Sequence, residues 1–245
     1  MGAGAGIYSQ GLTSGPDGKT IGYLEINDSQ IYSNLAASNG TAGGSGAGIS
    51  TNGGTALIRR TLIRNNPIFV PPDGSIVRRH RAALGGGIFS VGDLTIENSA
   101  IVDNYAIIDG GGIFHLLGDL TITNTTISGN TAERSGGGLF YHQGPVGNID
   151  PTVENQKIRL TNVTIVNNSA FGFDSGIRED GVITPQPNYA GANIIGGPDI
   201  ALNGQNSGNQ NQLSITNSII NECLVHPNAS IKSFGVGVQY SNATN

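Results

Sequence analysis

The chain has 245 residues, with 12 Lys and Arg against 17 Asp and Glu, 39 Gly, 10 Pro, one Cys, one Met and no Trp. That make-up excludes a helical bundle, which is rich in Ala, Glu, Lys and Leu, and a net charge of −5 supplies no long-range basic field for nucleic acid or an anionic membrane surface. The single Cys223 excludes an intrachain disulfide framework, a four-cysteine zinc site and a CxxC redox pair.

Taken in chain order, the sequence repeats a two-part unit. Glycine-rich strand starts occur as GAGIY ending at Tyr8, GAGIS at Ser50, GGGIF at Phe89, GGGIF at Phe114, GGGLF at Phe140 and GANII at Ile195. An eleven-residue block follows each one: LEINDSQIYSN from Leu24, ALIRRTLIRNN from Ala56, LTIENSAIVDN from Leu94, LTITNTTISGN from Leu120, IRLTNVTIVNN from Ile158 and LSITNSIINEC from Leu213. Successive blocks start 32, 38, 26, 38 and 55 residues apart, so the smallest unit is 26 and the excess sits in insertions. Apolar residues alternate within each block, as Leu94 and Ile96 do, and resume past an Asn at Ile101. Period two followed by a turn residue predicts short strands.

The first Asn (Asn98, Asn124, Asn162, Asn217) suits a left-handed backbone turn, and a second closes the block at Asn34, Asn66, Asn104, Asn130 and Asn168. Stacked units would place like residues above like at about 4.8 Å, forming apolar and amide ladders. Arg60 replaces the first Asn in the second block, and Cys223 stands where the last block should have its second. The glycines allow tight corners and close approach of neighbouring units.

The expected architecture is all-β: one right-handed parallel β-helix of about six coils with three strands each, over residues 1–245. The paired GGGIF and LTITNTTISGN elements resemble the repeats of bacterial polymorphic outer-membrane proteins, and the likeness runs from about Gly4 to Cys223. The resemblance implies export and display outside the cell or on the bacterial surface. The chain shows neither a signal peptide nor an outer-membrane barrel, which makes it an expected excerpt of a longer surface protein. No apolar run reaches the roughly 18 residues of a membrane-spanning helix.

Five segments leave the repeat, residues 9–23, 67–84, 141–157, 171–190 and 196–212, and their positions predict loop clusters at two corners. The second holds Arg78, Arg79, His80 and Arg81 and follows Arg59, Arg60 and Arg64, so half of the 12 cations fall in one region of an acidic chain. The candidate ligand site is therefore Arg60, Arg64, Arg78, Arg79, His80 and Arg81, with uronate, sulfate or phosphate on a glycan as the anion. The competing reading is a solvated loop paired with Asp73, Asp103 and Glu97.

The function expected is a binding, adhesion or structural scaffold whose partner is a polysaccharide or cell-surface molecule. Alternatives are a lyase or glycoside hydrolase acting on an acidic polysaccharide, and a stalk or filament subunit that associates end to end. No carboxylate pair marks a hydrolase, and no residue set calls for a cofactor or a metal. His115 and His142, at near-equivalent positions, read as surface histidines, and Tyr8, Phe89, Phe114 and Phe140 as a packed aromatic stack.

Overall fold

A computed structural model describes residues 6–11, 22–37, 45–65, 68–69, 84–106, 108–132, 135–143, 157–170, 200–204, 212–225, 230–233 and 238–242. Among these the regular structure is all strand, and every strand pairing is parallel. Leu24, Ala56, Leu94, Leu120, Ile158 and Leu213 follow one another as neighbours in a single column. Blocks separated by 26 to 55 residues thus land in the same register.

The cause lies in the side chains that alternation turns inward. Ile58, Ile63, Ile88, Ile96, Ile101, Ile113, Ile122 and Ile127 are fully buried in one continuous core, and each such burial contributes roughly 1.5–3 kcal/mol. A slip of one residue would turn that whole set outward, so the register is strongly specified.

The complete repeat has four strands instead of the expected three. In the fourth repeat they are Ile113–Leu116, Leu120–Thr123, Thr126–Ser128 and Thr131–Ala132. The extra one arises because the residue before the second Asn (Asn65, Asp103, Gly129, Asn167) is the one with positive φ. The chain turns there, and two residues past the turn pair with their counterparts, Tyr105–Ala106 with Thr131–Ala132 and then Ser169–Ala170. In the second and third repeats the first two strands run together as Ile49–Arg59 and Ile88–Glu97.

The first-Asn column is left-handed throughout: Asp28, Arg60, Asn98, Asn124, Asn162 and Asn217 have φ of 47° to 54°. Asn tolerates this conformation best among residues with a side chain. The hydroxyl that follows it holds the corner. Ser99 Oγ donates to Glu97 O at 2.8 Å and accepts the Thr61 amide at 3.1 Å, and Thr125 repeats the donation one layer on.

Between layers the glycine strand is close-packed backbone. A Cβ on Gly111 would lie against Thr131 O and 2.5 Å from Gly137 O, so no larger residue fits there. Gly110, just before it, has φ of 68°.

Three sequence expectations are corrected at the far end. The strand beside Leu139–Gln143 is Ile200–Gly204, not the GANII segment, which lies outside the described residues. Cys223 does not sit at the second-Asn corner: Ile219–Val225 is one strand through it, with a register shift against Val238–Asn242 between Ile220 and Cys223, and sets Cys223 beside Ile200. Pairing also continues past the recognised repeats, with Ser230–Ser233 on Gln212–Thr216 and Val238–Asn242 on Ile219–Val225. The last block keeps its Leu and Ile spacing but lacks the closing Asn, so no turn interrupts the strand.

Insertions do leave at two places in the repeat. Residues 11–22, 144–156 and 205–211 separate the glycine strand from the Leu-x-Ile strand, whereas 38–44, 70–83 and 171–199 precede the next glycine strand. Their ends are shorter than expected, because Ser9, Gln10, Ile68 and Phe69 belong to strands.

Candidate functional site

The arginines of the second repeat lie on its outer face, where sequence reasoning placed them, but their partners come from the neighbouring layers. Arg60 and Asp28 share the left-handed column, and the guanidinium donates to both carboxylate oxygens, Nε to Oδ1 and Nη2 to Oδ2, each at 2.6 Å. The Arg60 pair holds the Asp28 carboxyl below its ordinary range and takes the place of the amide ladder. In the next layers Asn124 Nδ2 donates to Asn98 Oδ1 at 3.1 Å and Asn162 Nδ2 to Asn124 Oδ1 at 3.0 Å. Arg60 departs from the repeat because Asp28 departs from it in the layer before.

Arg59 bridges two layers, donating to Glu97 at 2.8 Å and lying 3.7 Å from Glu25. The Arg64 guanidinium sits 5.2 Å from the centre of the Tyr32 ring, a cation–π contact. Here Arg59 and Arg60 face Glu25, Asp28 and Glu97, while Arg64 lies over Tyr32. Arg78, Arg79, His80 and Arg81 lie outside the described residues, as does Asp73. Of the expected ion partners Glu97 is engaged, and with Arg59.

A replacement test follows for the charged pair. The double variant Asp28→Asn with Arg60→Asn rebuilds the amide column, and its melting temperature should match the wild type with a weaker dependence on salt, since the Arg59 and Arg159 pairs remain. The single variant Arg60→Ala should fall below both, because it leaves Asp28 unpaired and puts Ala at positive φ. Thermal melts at low and high salt check the ordering.

The aromatic column is interrupted. Phe89, Phe114 and Phe140 stack with centroids 5.6 and 5.2 Å apart, but Ser50 stands between Tyr8 and Phe89. Alternation turns these rings away from the isoleucine core into a second cluster with Leu84 and Leu116, where Phe114 is 5% and Phe140 4% exposed. They pack against each other and offer no open stacking platform. Tyr8 does stand open, with Tyr23 and Tyr32, on the first repeat.

The expectation of a surface histidine is overturned for His115, while the side chain of His142 lies outside what is described. His115 is fully buried, in the core-facing column that runs Thr51, Ser90, His115, Tyr141. His142 stands beside Leu116, one position along, and does not share that column. A one-residue offset was enough to break the equivalence, because the strand period is two. Among the described residues no three His, Cys, Asp or Glu side chains gather as a metal site, and no helix is long and apolar enough to cross a membrane.

No protein-family model, curated protein or solved structure matches the chain.

Proposed function

We propose that the chain is a right-handed parallel β-helix, exported and displayed at a bacterial cell surface, that serves as a rigid scaffold and binds a partner through its insertions. The observation that carries this reading is the separation of roles within the sequence. The Leu and Ile columns hold one register while the interval between them varies from 26 to 55 residues, and among the described strands the surplus falls in sequence at two places of the repeat. Such a frame tolerates long loops at low thermodynamic cost and gathers them on common faces.

The ligand class we favour is an acidic glycan, held by the insertion carrying Arg78, Arg79, His80 and Arg81 with Arg64 beside its base. Arg60 contributes through the corner, since its guanidinium is already engaged by Asp28. Replacing Arg78, Arg79 and Arg81 with Ala should move elution from a heparin or polyuronate column to lower salt, because exposed ionic contacts are screened. Unchanged elution with an intact β-type circular dichroism spectrum rules the site out.

A further inference from the structure

The column of Thr51, Ser90, His115 and Tyr141 is a polar track inside an otherwise aliphatic interior. Thr51 Oγ1 donates to Ser90 Oγ at 3.0 Å, so the upper part of the track is internally satisfied. Below it, His115 Nε2 lies 3.3 Å from Gly118 O, and Tyr141 Oη donates to the same carbonyl at 3.3 Å. The two rings are 5.4 Å apart. With Nε2 as the donor, Nδ1 carries the lone pair, and that atom is buried with no hydrogen-bond partner.

Gly118 closes the corner between Ile113–Leu116 and Leu120–Thr123. Its neighbour Leu117 has φ of 62° and Gly118 itself 92°. A left-handed Leu is strained, so this corner depends on outside support. His115 and Tyr141 provide it by converging on one carbonyl from two successive layers.

We infer that His115 is an acid-sensitive latch: protonating it releases the Leu117–Gly118 corner and loosens the contact between the fourth and fifth repeats while the rest of the stack stays closed. The surroundings compensate an imidazolium only weakly, through the Gly118 carbonyl and the charge of Asp119, and burial outweighs both. From its own strand His115 is flanked by Phe114 and Leu116, the third repeat presents Ser90, and the fifth presents Tyr141, whose phenol burial keeps protonated. Among the described residues Asp119 acts on both rings, and Asp93 acts on Tyr141. Asp119 Oδ1 accepts the Lys157 amide at 2.9 Å and its Oδ2 lies 3.6 Å from Arg159, while Asp93 Oδ1 accepts the Asp119 amide at 2.9 Å. Both carboxylates are thus committed on the outer face. Burial holds the imidazole down at about 4 against an ordinary 6.5.

The sign follows from linkage. The open corner binds a proton that the closed corner refuses, so closure is at full strength above pH 6.5 and weakens as pH falls toward 4. At pH 5 the opening equilibrium should rise about 30-fold relative to pH 7.5.

Hydrogen exchange followed by mass spectrometry tests this, after correction for the intrinsic rate. Peptides over residues 113–123 and 139–143 should lose about 30-fold in protection at pH 5, whereas the peptide over 157–166 should not. His115→Leu, the residue type found at the equivalent Leu202, should abolish the pH dependence. Uniform loss along the chain, or equal loss in wild type and variant, overturns the latch. If the variant does not fold, the wild-type His115 imidazole resonance decides: titration near pH 4 supports the latch, and titration near 6.5 with the fold intact refutes it.

Discussion

Replacing Asn130 with Ala should lower stability by about 3–5 kcal/mol, whereas replacing Asn124 with Gly should change it by less than about 1 kcal/mol. Both residues belong to amide ladders, and the difference is burial. Asn130 is fully buried. Its Oδ1 accepts the backbone and side-chain N–H groups of Asn104 at 3.0 and 2.9 Å, and its Nδ2 donates to Ile101 O and Asn168 Oδ1 at 2.9 Å each. Truncation strands donors and acceptors from two neighbouring layers where water cannot reach them, and each orphan costs about 1–3 kcal/mol. Asn124 is exposed, its ladder bonds compete with water, and its φ of 49° is one that Gly adopts freely. Urea unfolding of the two variants measures the contrast, and similar losses in both would mean that the inner ladder is solvated.

The second large effect is expected at Gly111. Gly111→Ala should cost more than about 4 kcal/mol or prevent the stack from closing, because the new methyl meets backbone on two sides. Thr131 O belongs to the short fourth strand of the same repeat, and Gly137 O, in the next layer, lies 2.5 Å from where the methyl carbon would sit. Neither atom can move without opening a strand pairing. The column itself does not forbid Ala, since Ala47 occupies the same place in the second repeat and is fully buried there. The restriction at Gly111 is local, and circular dichroism with a thermal melt reads it. A variant as stable as the wild type would show that the fourth and fifth layers are not in contact at this point.

The core of the fold was legible because its determinants are local in sequence. Leu120, Ile122 and Ile127 define the inward positions within eight residues, and Asn124 marks the corner between them. Register across layers then follows from alignment of the blocks. What escaped the reading depends on contacts between layers. Arg60 looked like a functional exception because its partner, Asp28, lies 32 residues earlier and is itself an exception. His115 and His142 looked equivalent because one residue of offset is invisible without the pairing. The Phe stack was recognised as packed, but the direction of its face was set by alternation from Ile113 and by Leu84, outside the motif. At the far end the missing Asn removed the turn signal, and Ile200–Gly204 carries no glycine triplet to announce it.

The in-register stack is tested most directly by a distance between its ends. In a Cys223→Ser background, spin labels at Asn27→Cys and Thr216→Cys occupy one column, which runs through Arg59, Glu97, Thr123 and Thr161. Five strand spacings separate them, so double electron–electron resonance should give a narrow distribution centred at about 24 Å. A broad distribution, or a narrow one centred far from that value, would contradict the stacking of these repeats.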